Sequence, residues 1–386
     1  MFYLISTLLM VFLFGLRIFL AQKYFNQLPL GSDSAFKDSD YTVLQPILSG
    51  DKRLSDCLQA NLDHTQDMQF IWLVDQNDSL AQDICQTIID KQTNPSRIRL
   101  ILCENVSDNL NPKVFKLQKG LKLVDTVYTV VLDDDSIIDK TVLPQIKLYA
   151  ALPDEWLVTG IPYNDDKENF WSALLAAFVN SQSFFTYFSM AAVKDSRSLN
   201  GMFYFAKTAT FKNHRLFEQI QDWLCDDLAL ATVCRTEHIR IIQSSLFCQV
   251  RTTVQSGWQY LLLLKRWLLF ANVFIKQNFS FSFLLIAFLP AVLPLLLLSS
   301  SLLWGWHGLL WGLGLLTAKA FAQRLFRRHI LKKEESLSAL GFECLNDLLL
   351  PFIYLYTLIT GPVIVWRQRK IRVADGKIRY VSFQSL

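Results

Sequence analysis

Three consecutive carboxylates follow a strongly apolar stretch near the middle of the chain. Residues 127–132 are rich in Val, Leu and Tyr and predict a buried strand, and Asp133, Asp134 and Asp135 come directly after it. Ligands of open α/β sheets bind outside the carboxyl ends of the strands. Clustered carboxylates repel unless a cation neutralises them, and hard oxygen ligands suit Mg²⁺ or Mn²⁺ with substrate phosphates completing the shell. Asp133 and Asp135 are therefore a candidate metal site, and a solvated acidic turn is the alternative.

A second pair of acidic residues follows another apolar stretch. Residues 69–74 predict a buried strand that ends at Asp75 and Asp78. The neighbouring elements are predicted strands over Tyr41–Gly50 and Arg97–Cys103 and predicted helices over Leu54–Asp63, Leu80–Lys91 and Asn111–Lys122. This alternation predicts an α/β fold with a parallel sheet and crossover helices. Both acidic pairs would then lie at one edge of the sheet.

The second half of the soluble region contains a long apolar and aromatic segment, Phe170–Val193. It predicts a helix that either lies on or near a bilayer surface or packs as an ordinary core helix. Strands are predicted over Leu199–Ala206 and Ile239–Gln249. Between these strands, Asp226 and Asp227 begin a predicted helix, where acidic residues ordinarily complement the helix dipole.

The composition indicates a soluble domain that carries a few membrane segments. Hydrophobic residues make up 52% of the 386 residues and charged ones 19%, and the mean hydropathy is +0.25. A net charge of +4 is too small to indicate a nucleic-acid partner. The seven cysteines are odd in number and contain no CxxC pair, which predicts reduced thiols on a cytosolic face rather than disulfides.

Several apolar segments are long enough to cross a membrane. Met1–Ala21 predicts an N-terminal anchor, and the basic residues after it place the following segment in the cytoplasm. Trp258–Trp267 carries two cations and two tryptophans and predicts a helix at the membrane interface. Phe279–Ala322 is long enough for two spans, and Leu348–Trp366 is a last apolar stretch. The basic residues beyond it favour a cytoplasmic C-terminus, which requires either a re-entrant last segment or one more crossing.

The predicted organisation therefore has one N-terminal and two to three C-terminal membrane helices around an α/β domain. Its parts are an N-terminal transmembrane anchor (1–22), a cytoplasmic catalytic domain (41–255), a membrane-interface helix (256–278), C-terminal transmembrane or re-entrant helices (279–366) and a basic cytoplasmic tail (367–386). A polar linker is predicted over residues 31–40.

Short motifs in a fixed order resemble one family, the ceramide glucosyltransferases, from about Gln45 to Arg372. The matching pieces are Asp83-Ile-Cys85, Asn111-Pro112-Lys113 with Leu117 and Gly120, Gly160-x-Pro162-Tyr163, Gly201-Met202, Asp227, Arg266-Trp267, and Trp366-Arg367 with Arg372. The resemblance implies a membrane-anchored, inverting glycosyltransferase. Its catalytic domain would have the GT-A-like, Rossmann-like α/β fold.

The resemblance also assigns residues to the sugar donor. The donor-binding candidates are Asp75, Asp78, Lys113, Asp133, Arg266 and Trp267, and the candidate ligands of Mg²⁺ or Mn²⁺ are Asp133 and Asp135. Asp75 or Asp78 would hold the uracil or ribose of the nucleotide. Lys113 and Arg266 are candidates for phosphate contacts, as a point charge and a planar fork respectively. Trp267 is a candidate wall of the site, and its alternative is an ordinary anchor at the membrane interface.

The third acidic position of the family corresponds to Asp227, which would be the catalytic general base for the acceptor hydroxyl. Asp226 and Asp227 stand where the family more often has Glu-Asp. The closing (Q/R)xxRW motif is present only as Arg266 and Trp267, because Leu263 occupies the Gln or Arg position. The contact normally made by that polar side chain is therefore in question.

The leading functional hypothesis is transfer of a hexose from a UDP-sugar, with UDP-glucose favoured, to the hydroxyl of a membrane lipid such as ceramide. Transfer from UDP-N-acetylglucosamine to a hopanoid or another lipid is an alternative. A processive polysaccharide synthase would need more spans and a complete closing motif. A non-enzymatic membrane scaffold would not need carboxylates at the ends of two strands.

Overall fold

The computed structural model describes residues 2–28, 37–65, 67–106, 110–150, 152, 155–165, 167–193, 198–366, 369–374 and 377–380. Most of the predicted linker, Arg367 and much of the predicted basic tail lie outside these residues. The chain forms two compact units from interleaved segments. The helical unit comprises residues 1–28, 166–196 and 254–364, and the α/β unit comprises residues 29–165, 197–253 and 365–386.

The two units contain the following elements in chain order. They are α1 (Phe2–Phe25), β1 (Tyr41–Ile47), α2 (Leu54–His64), β2 (Gln69–Asp75), α3 (Ser79–Asp90), β3 (Ile98–Cys103), α4 (Pro112–Leu121), β4 (Tyr128–Leu132), β5 (Ser136–Ile138), α5 (Leu143–Ala150), β6 (Trp156–Asn164), α6 (Phe170–Ala192), β7 (Phe203–Lys207), α7 (Thr208–Asn213), α8 (Leu216–Gln219), α9 (Asp226–Thr236), β8 (Arg240–Val250), α10 (Gly257–Asn278), α11 (Phe281–Phe283), a π-helical turn (Leu284–Phe288), α12 (Leu289–Leu302), α13 (Gly305–Leu331), α14 (Ser338–Ile359), β9 (Val363–Trp366), β10 (Arg369–Ala374) and β11 (Lys377–Tyr380).

The α/β unit is built on an eight-stranded sheet with the strand order β3-β2-β1-β4-β7-β6-β8-β5. The first four strands in this order are parallel, as the alternation of strands and helices predicts. The expectation of a parallel sheet is wrong for β7, which runs antiparallel to both β4 and β6, and for β5, which runs antiparallel to β8, whereas β6 and β8 are parallel to each other. Strand β7 enters the sheet at the end where β6 leaves it, so the connection through α6 is not the crossover that a parallel neighbour needs.

Helix α4 packs on the parallel half of this sheet. Its apolar face, represented by Val114, Leu117 and Leu121, lies in one buried cluster with Leu73 of β2 and Val131 of β4. This packing fixes the helix beside the carboxyl ends of β1, β2 and β4. The seven cysteines are all free, so the prediction of no disulfide framework is confirmed.

Gly160 of β6 has no room for a side chain. A Cβ atom there would lie 2.3 Å from Cδ1 of Phe203 and 2.9 Å from the carbonyl oxygen of Leu246. We expect Gly160→Ala to lower the free energy of unfolding by about 1–3 kcal/mol, because overpacking forces the backbone and a ring to move. Thermal unfolding checks this, with Gly314→Ala as the control because no atom lies within 4 Å of a Cβ there. Equal unfolding temperatures for the two variants would contradict the expectation.

Three helices are long and apolar enough to cross a membrane: Phe2–Phe25, Phe281–Leu302 and Ser338–Ile359. They confirm the predicted N-terminal span and give two C-terminal ones. The segment Phe279–Ala322, which is long enough for two spans, contributes one candidate span, because α13 is not among the three. The last apolar stretch begins earlier than predicted and ends in strand β9. Strands β9, β10 and β11 form a small second sheet that was not predicted from the sequence.

Charged side chains are buried inside the helical unit. Lys319 of α13 forms an ion pair with Asp347 of α14, and both side chains are at most 4% exposed. Arg17 of α1 donates to Oγ1 of Thr186, 3.0 Å away on α6. Ionisable residues inside a membrane unit are costly unless they are paired, so these contacts bind particular helices to one another.

Candidate active site

The N-terminus of α4 is anchored by the Asn111-Pro112-Lys113 motif. The side-chain oxygen of Asn111 accepts hydrogen bonds from the backbone N–H groups of Lys113 and Val114, at 3.0 and 3.4 Å, and caps the helix. Its Nδ2 donates to the carbonyl oxygen of Trp223, 3.0 Å away, just before α9. Pro112 occupies a first-turn position, where its missing N–H costs nothing. The motif therefore fixes the start of α4 against the start of α9.

Lys113 brings together three loops at the edge of the sheet. Its Nζ lies 2.7 Å from Oδ1 of Asp133, which follows β4, and 3.1 Å from Oδ2 of Asp226, which begins α9. It also donates to the carbonyl oxygen of Gly201 at 3.0 Å. Two acidic segments about ninety residues apart in the chain therefore meet on one ammonium group.

Lys116 makes the same kind of contact one helical turn later. Its Nζ lies 2.9 Å from Oδ2 of Asp75 at the end of β2 and donates to the carbonyl oxygen of Ile47 at the end of β1, also at 2.9 Å. Residues three apart share a helix face, so Lys113 and Lys116 both point to this edge. The strand ends that carry Asp75 and Asp133 do lie on the same edge, as the parallel arrangement predicts.

Asp78 and Asp134 hold the loop after β1. Asp78 accepts from the N–H groups of Ser49 at 2.8 Å and Ala81 at 3.1 Å, and Asp134 accepts from the N–H of Leu48 at 2.7 Å. Burial favours the neutral form of Asp78, but its hydrogen bonds outweigh that effect and lower its pKa. Burial, together with the nearby Asp135 charge, raises the pKa of Asp134 to about 7. Asp78 is thus a helix cap, and Asp75 is the acid that pairs with a lysine.

Asp133 and Asp135 have a donor set that fits a divalent cation. Asp135 accepts from Oγ1 of Thr252 at 2.7 Å, and burial raises its pKa. Burial also raises the pKa of Asp133 to about 6, despite the opposing effect of Lys113. Within the described part of the chain no three His, Cys, Asp or Glu residues form a metal-binding group. Two carboxylates with substrate phosphates nonetheless suffice for Mg²⁺ or Mn²⁺, so the residues present fit such an ion.

Asp227 follows Asp226 in the first turn of α9. Its Oδ1 accepts from the N–H of Leu228 at 2.7 Å and from Sγ of Cys225 at 2.8 Å. Gly201 is adjacent, since a Cβ on it would lie 3.1 Å from Cβ of Asp227. Burial and the neighbouring Asp226 raise the pKa of the Asp227 carboxyl, a shift that suits a general base.

The remaining predicted residues, Arg266 and Trp267, belong to α10 in the helical unit. Trp267 stacks on Phe178 with ring centroids 6.1 Å apart. Leu263 packs against the same apolar cluster, around Leu174. Leu263 therefore has a packing role in this chain, and the donor contacts of Arg266 and Trp267 stay predictions.

Sequence reasoning missed two residues of this cluster, Lys116 and Asp226. Lys116 carried a usable signal, because it stands three residues after Lys113 on a predicted helix. Asp226 carried none, because an acid in a first helical turn ordinarily serves the helix dipole. Only the tertiary structure distinguishes Asp226, which faces Lys113, from Asp227, which faces Gly201.

The structure combines a mixed α/β sheet with three helices that are long and apolar enough to cross a membrane. The sequence profile of glycosyl transferase family 21 matches residues 7–379. The chain therefore belongs to glycosyl transferase family 21, the ceramide glucosyltransferase family.

Two solved structures are similar to the chain over most of its length. One is the mannosyltransferase PcManGT from Pyrobaculum calidifontis in complex with GDP-Man and Mn²⁺, with 14% identity, a TM-score of 0.48, and coverage of 93% of this chain and 98% of that chain. The other is S. aureus TarS 1–349, with 10% identity, a TM-score of 0.39, and coverage of 89% and 98%. No curated protein sequence matches the chain significantly.

Proposed function

We propose that this glycosyltransferase moves a hexose from a UDP-sugar, with UDP-glucose favoured, to the hydroxyl of a membrane lipid such as ceramide. The observation that supports this most directly is the convergence of Asp133 and Asp226 on Lys113 at the edge of the sheet, in a family 21 chain with candidate membrane spans. The chain is an integral membrane protein in this proposal, with the catalytic domain on the cytoplasmic face. Its lipid acceptor comes from the bilayer.

The donor is held at the carboxyl ends of the parallel strands. Asp75 and Asp78 bound the loop that receives the nucleoside, and Asp75 is oriented by Lys116. Asp133 and Asp135 would hold Mg²⁺ or Mn²⁺, which when bound stabilises negative charge on the leaving diphosphate. Lys113, Arg266 and Trp267 complete the proposed donor contacts. Arg266 supplies a planar fork for phosphate oxygens, and Lys113 supplies a point charge.

Asp227 is the proposed general base. A carboxylate with a raised pKa accepts a proton from an alcohol more readily than an ordinary aspartate does. Asp227 takes the proton from the acceptor hydroxyl. The hydroxyl oxygen attacks the anomeric carbon from the face opposite the diphosphate, and the bond between that carbon and the diphosphate breaks. One displacement of this kind inverts the configuration at that carbon.

A UDP-N-acetylglucosamine-dependent transferase acting on a hopanoid or another lipid would use the same residues. The acidic edge of the sheet, formed by Asp75, Asp78, Asp133 and Asp135, would serve either donor. The choice between the donors therefore depends on the residues that contact the sugar. A processive polysaccharide synthase is less well supported, because the described residues contain three candidate spans and Leu263 replaces the polar residue of the closing motif.

Asp227→Asn tests the assignment of the base. We expect kcat for lipid glycosylation to fall at least about a hundredfold, because the amide cannot accept the proton. Binding of the nucleotide, measured by calorimetry, should change little. Asp90→Asn, which alters an exposed acid at the end of α3, is the matched control and should retain full activity.

The acceptor is tested separately, by mass spectrometry of lipids from cells that express the wild type or Asp227→Asn. A new hexosyl lipid is expected only with the wild type. Equal transfer by both proteins would show that Asp227 is not the base. Absence of any new glycolipid in the wild-type cells would contradict the lipid acceptor.

A further inference from the structure

The ammonium group of Lys113 is surrounded by oxygen atoms from three different loops. Asp133, Asp226 and the carbonyl of Gly201 all lie between 2.7 and 3.1 Å from Nζ. Three oxygen atoms therefore surround the ammonium group, as oxygen ligands surround a bound metal ion. Here the cation is the side chain of Lys113. The side chains of Asp133 and Asp226 are 25% and 20% exposed, so solutes reach them from solvent.

Asp226 is held in this cluster by charge rather than by hydrogen bonding. Its Oδ2 is buried and has no hydrogen-bond partner among the described residues, although Lys113 is within ion-pair distance. The Lys113 ammonium lies between the two carboxylates, 2.7 Å from Asp133 and 3.1 Å from Asp226. It neutralises two acidic loops that otherwise repel each other.

The second lysine of α4 behaves differently. Lys116 is only 1% exposed and is fixed between Asp75 and the carbonyl of Ile47, whereas Lys113 is 17% exposed. A lysine side chain has a flexible four-carbon stem. The more exposed ammonium group of Lys113 can therefore move away from its partners without movement of α4. Lys116 is the fixed cation of this edge, and Lys113 is the exchangeable one.

We propose that Lys113 is the internal counter-cation of the donor-free site: it neutralises Asp133 and Asp226 until a divalent ion competes for them, and its released ammonium then pairs with the donor diphosphate. This inference rests on the proposed function, because the ion and the diphosphate belong to the sugar donor. In this proposal Asp226 is the acid that keeps Lys113 in place before the donor binds. The neighbouring Asp227 remains the proposed base for the acceptor hydroxyl.

The test is Mn²⁺ binding to the full-length protein in detergent, without nucleotide, followed by electron paramagnetic resonance. Lys113→Met should bind Mn²⁺ about tenfold more tightly than the wild type, because a competing positive charge is removed. Asp226→Asn should bind it about tenfold more weakly, because a negative charge is removed. Lys119→Met, two turns along α4 and paired with the exposed Glu104, is the control and should match the wild type.

Binding of UDP in the presence of Mn²⁺ is the second measurement. It should weaken about tenfold in Lys113→Met, because a phosphate contact is lost, while Mn²⁺ binding alone becomes tighter. These opposite changes cannot come from a general loss of structure. If Lys113→Met does not fold, the Asp226→Asn result decides the matter.

Equal Mn²⁺ affinities for the wild type, Lys113→Met and Asp226→Asn, or no Mn²⁺ binding by any of them at millimolar concentrations, would overturn the inference. Failure of the proposed function looks different. In that case the Mn²⁺ pattern is present, but the wild type transfers no sugar from any UDP-hexose to any lipid.

Discussion

Asp133→Asn is expected to abolish sugar transfer, with kcat/KM at least about a hundredfold below the wild type. The substitution keeps the size of the side chain but removes the charge that faces Lys113 at 2.7 Å and the candidate divalent ion. Without it, Asp226 is the one charged partner that Lys113 keeps among the described residues. Hydrolysis of a UDP-sugar, detected as released UDP with Mg²⁺ or Mn²⁺ present, should be lost together with transfer to lipid.

The matched control is Asp125→Asn, which changes an acid at the opposite end of the same strand. Asp125 is exposed and pairs only weakly, at 3.6 Å, with Arg99. This variant should retain wild-type activity. If Asp133→Asn released UDP as fast as Asp125→Asn does, the acidic edge of the sheet would not be the donor site.

Asp347→Leu is expected to lower the free energy of unfolding by about 3–5 kcal/mol, because it leaves the ammonium of Lys319 buried without its partner. Lys319 and Asp347 are 4% and 3% exposed, and the ammonium also lies 4.5 Å from the ring centre of Phe14. Thermal unfolding of the detergent-solubilised protein, followed by intrinsic fluorescence, measures the effect. Arg328→Met, which breaks an exposed pair between the last turn of α13 and Glu334 beyond its end, should cost about 1 kcal/mol or less.

The double variant Lys319→Met/Asp347→Leu should recover most of the lost stability. Replacing a buried ion pair by apolar residues of similar volume is often neutral, whereas removal of one partner is not. Recovery therefore distinguishes an unpaired charge from a packing defect. A double variant as unstable as Asp347→Leu would indicate that the volume of these side chains, rather than their charge, holds α13 and α14 together.

The strands of the acidic edge could be predicted from sequence because each is short, apolar and followed by acids. Strand β4 is buried along its whole length, and β2 is buried at all but its two ends, so their short runs of apolar residues are typical of buried strands. The direction of β7 could not be predicted, because periodicity reports burial and not the neighbour of a strand. Pairing of Phe203 with Leu132 and of Lys207 with Tyr128 reverses β7, and both pairs join distant parts of the chain.

The sequence predicted which strand ends carry the acidic residues of the candidate site. It did not predict which side chains these residues pair with. Asp75 and Asp133 were placed at one edge by the rule for parallel strands, and the structure agrees. The pairing of Lys116 with Asp75, and the choice of Asp226 rather than Asp227 as the partner of Lys113, depend on side-chain direction at tertiary contacts. Sequence spacing contains no information about such contacts.

The interleaved composition of the helical unit has a consequence for biosynthesis. Nδ2 of Asn346 donates to the carbonyl oxygen of Leu174, a contact that closes α14 onto α6 across 172 residues of chain. At a translation rate of about 5–20 residues per second, α6 waits roughly 10 to 35 s on the ribosome before α14 is made. Leu174 and Leu175 of α6, which lie in one buried cluster with Ile353 of α14, must be shielded by lipid or by insertion factors during that interval. The nascent enzyme is therefore exposed to aggregation until its last helix is synthesised.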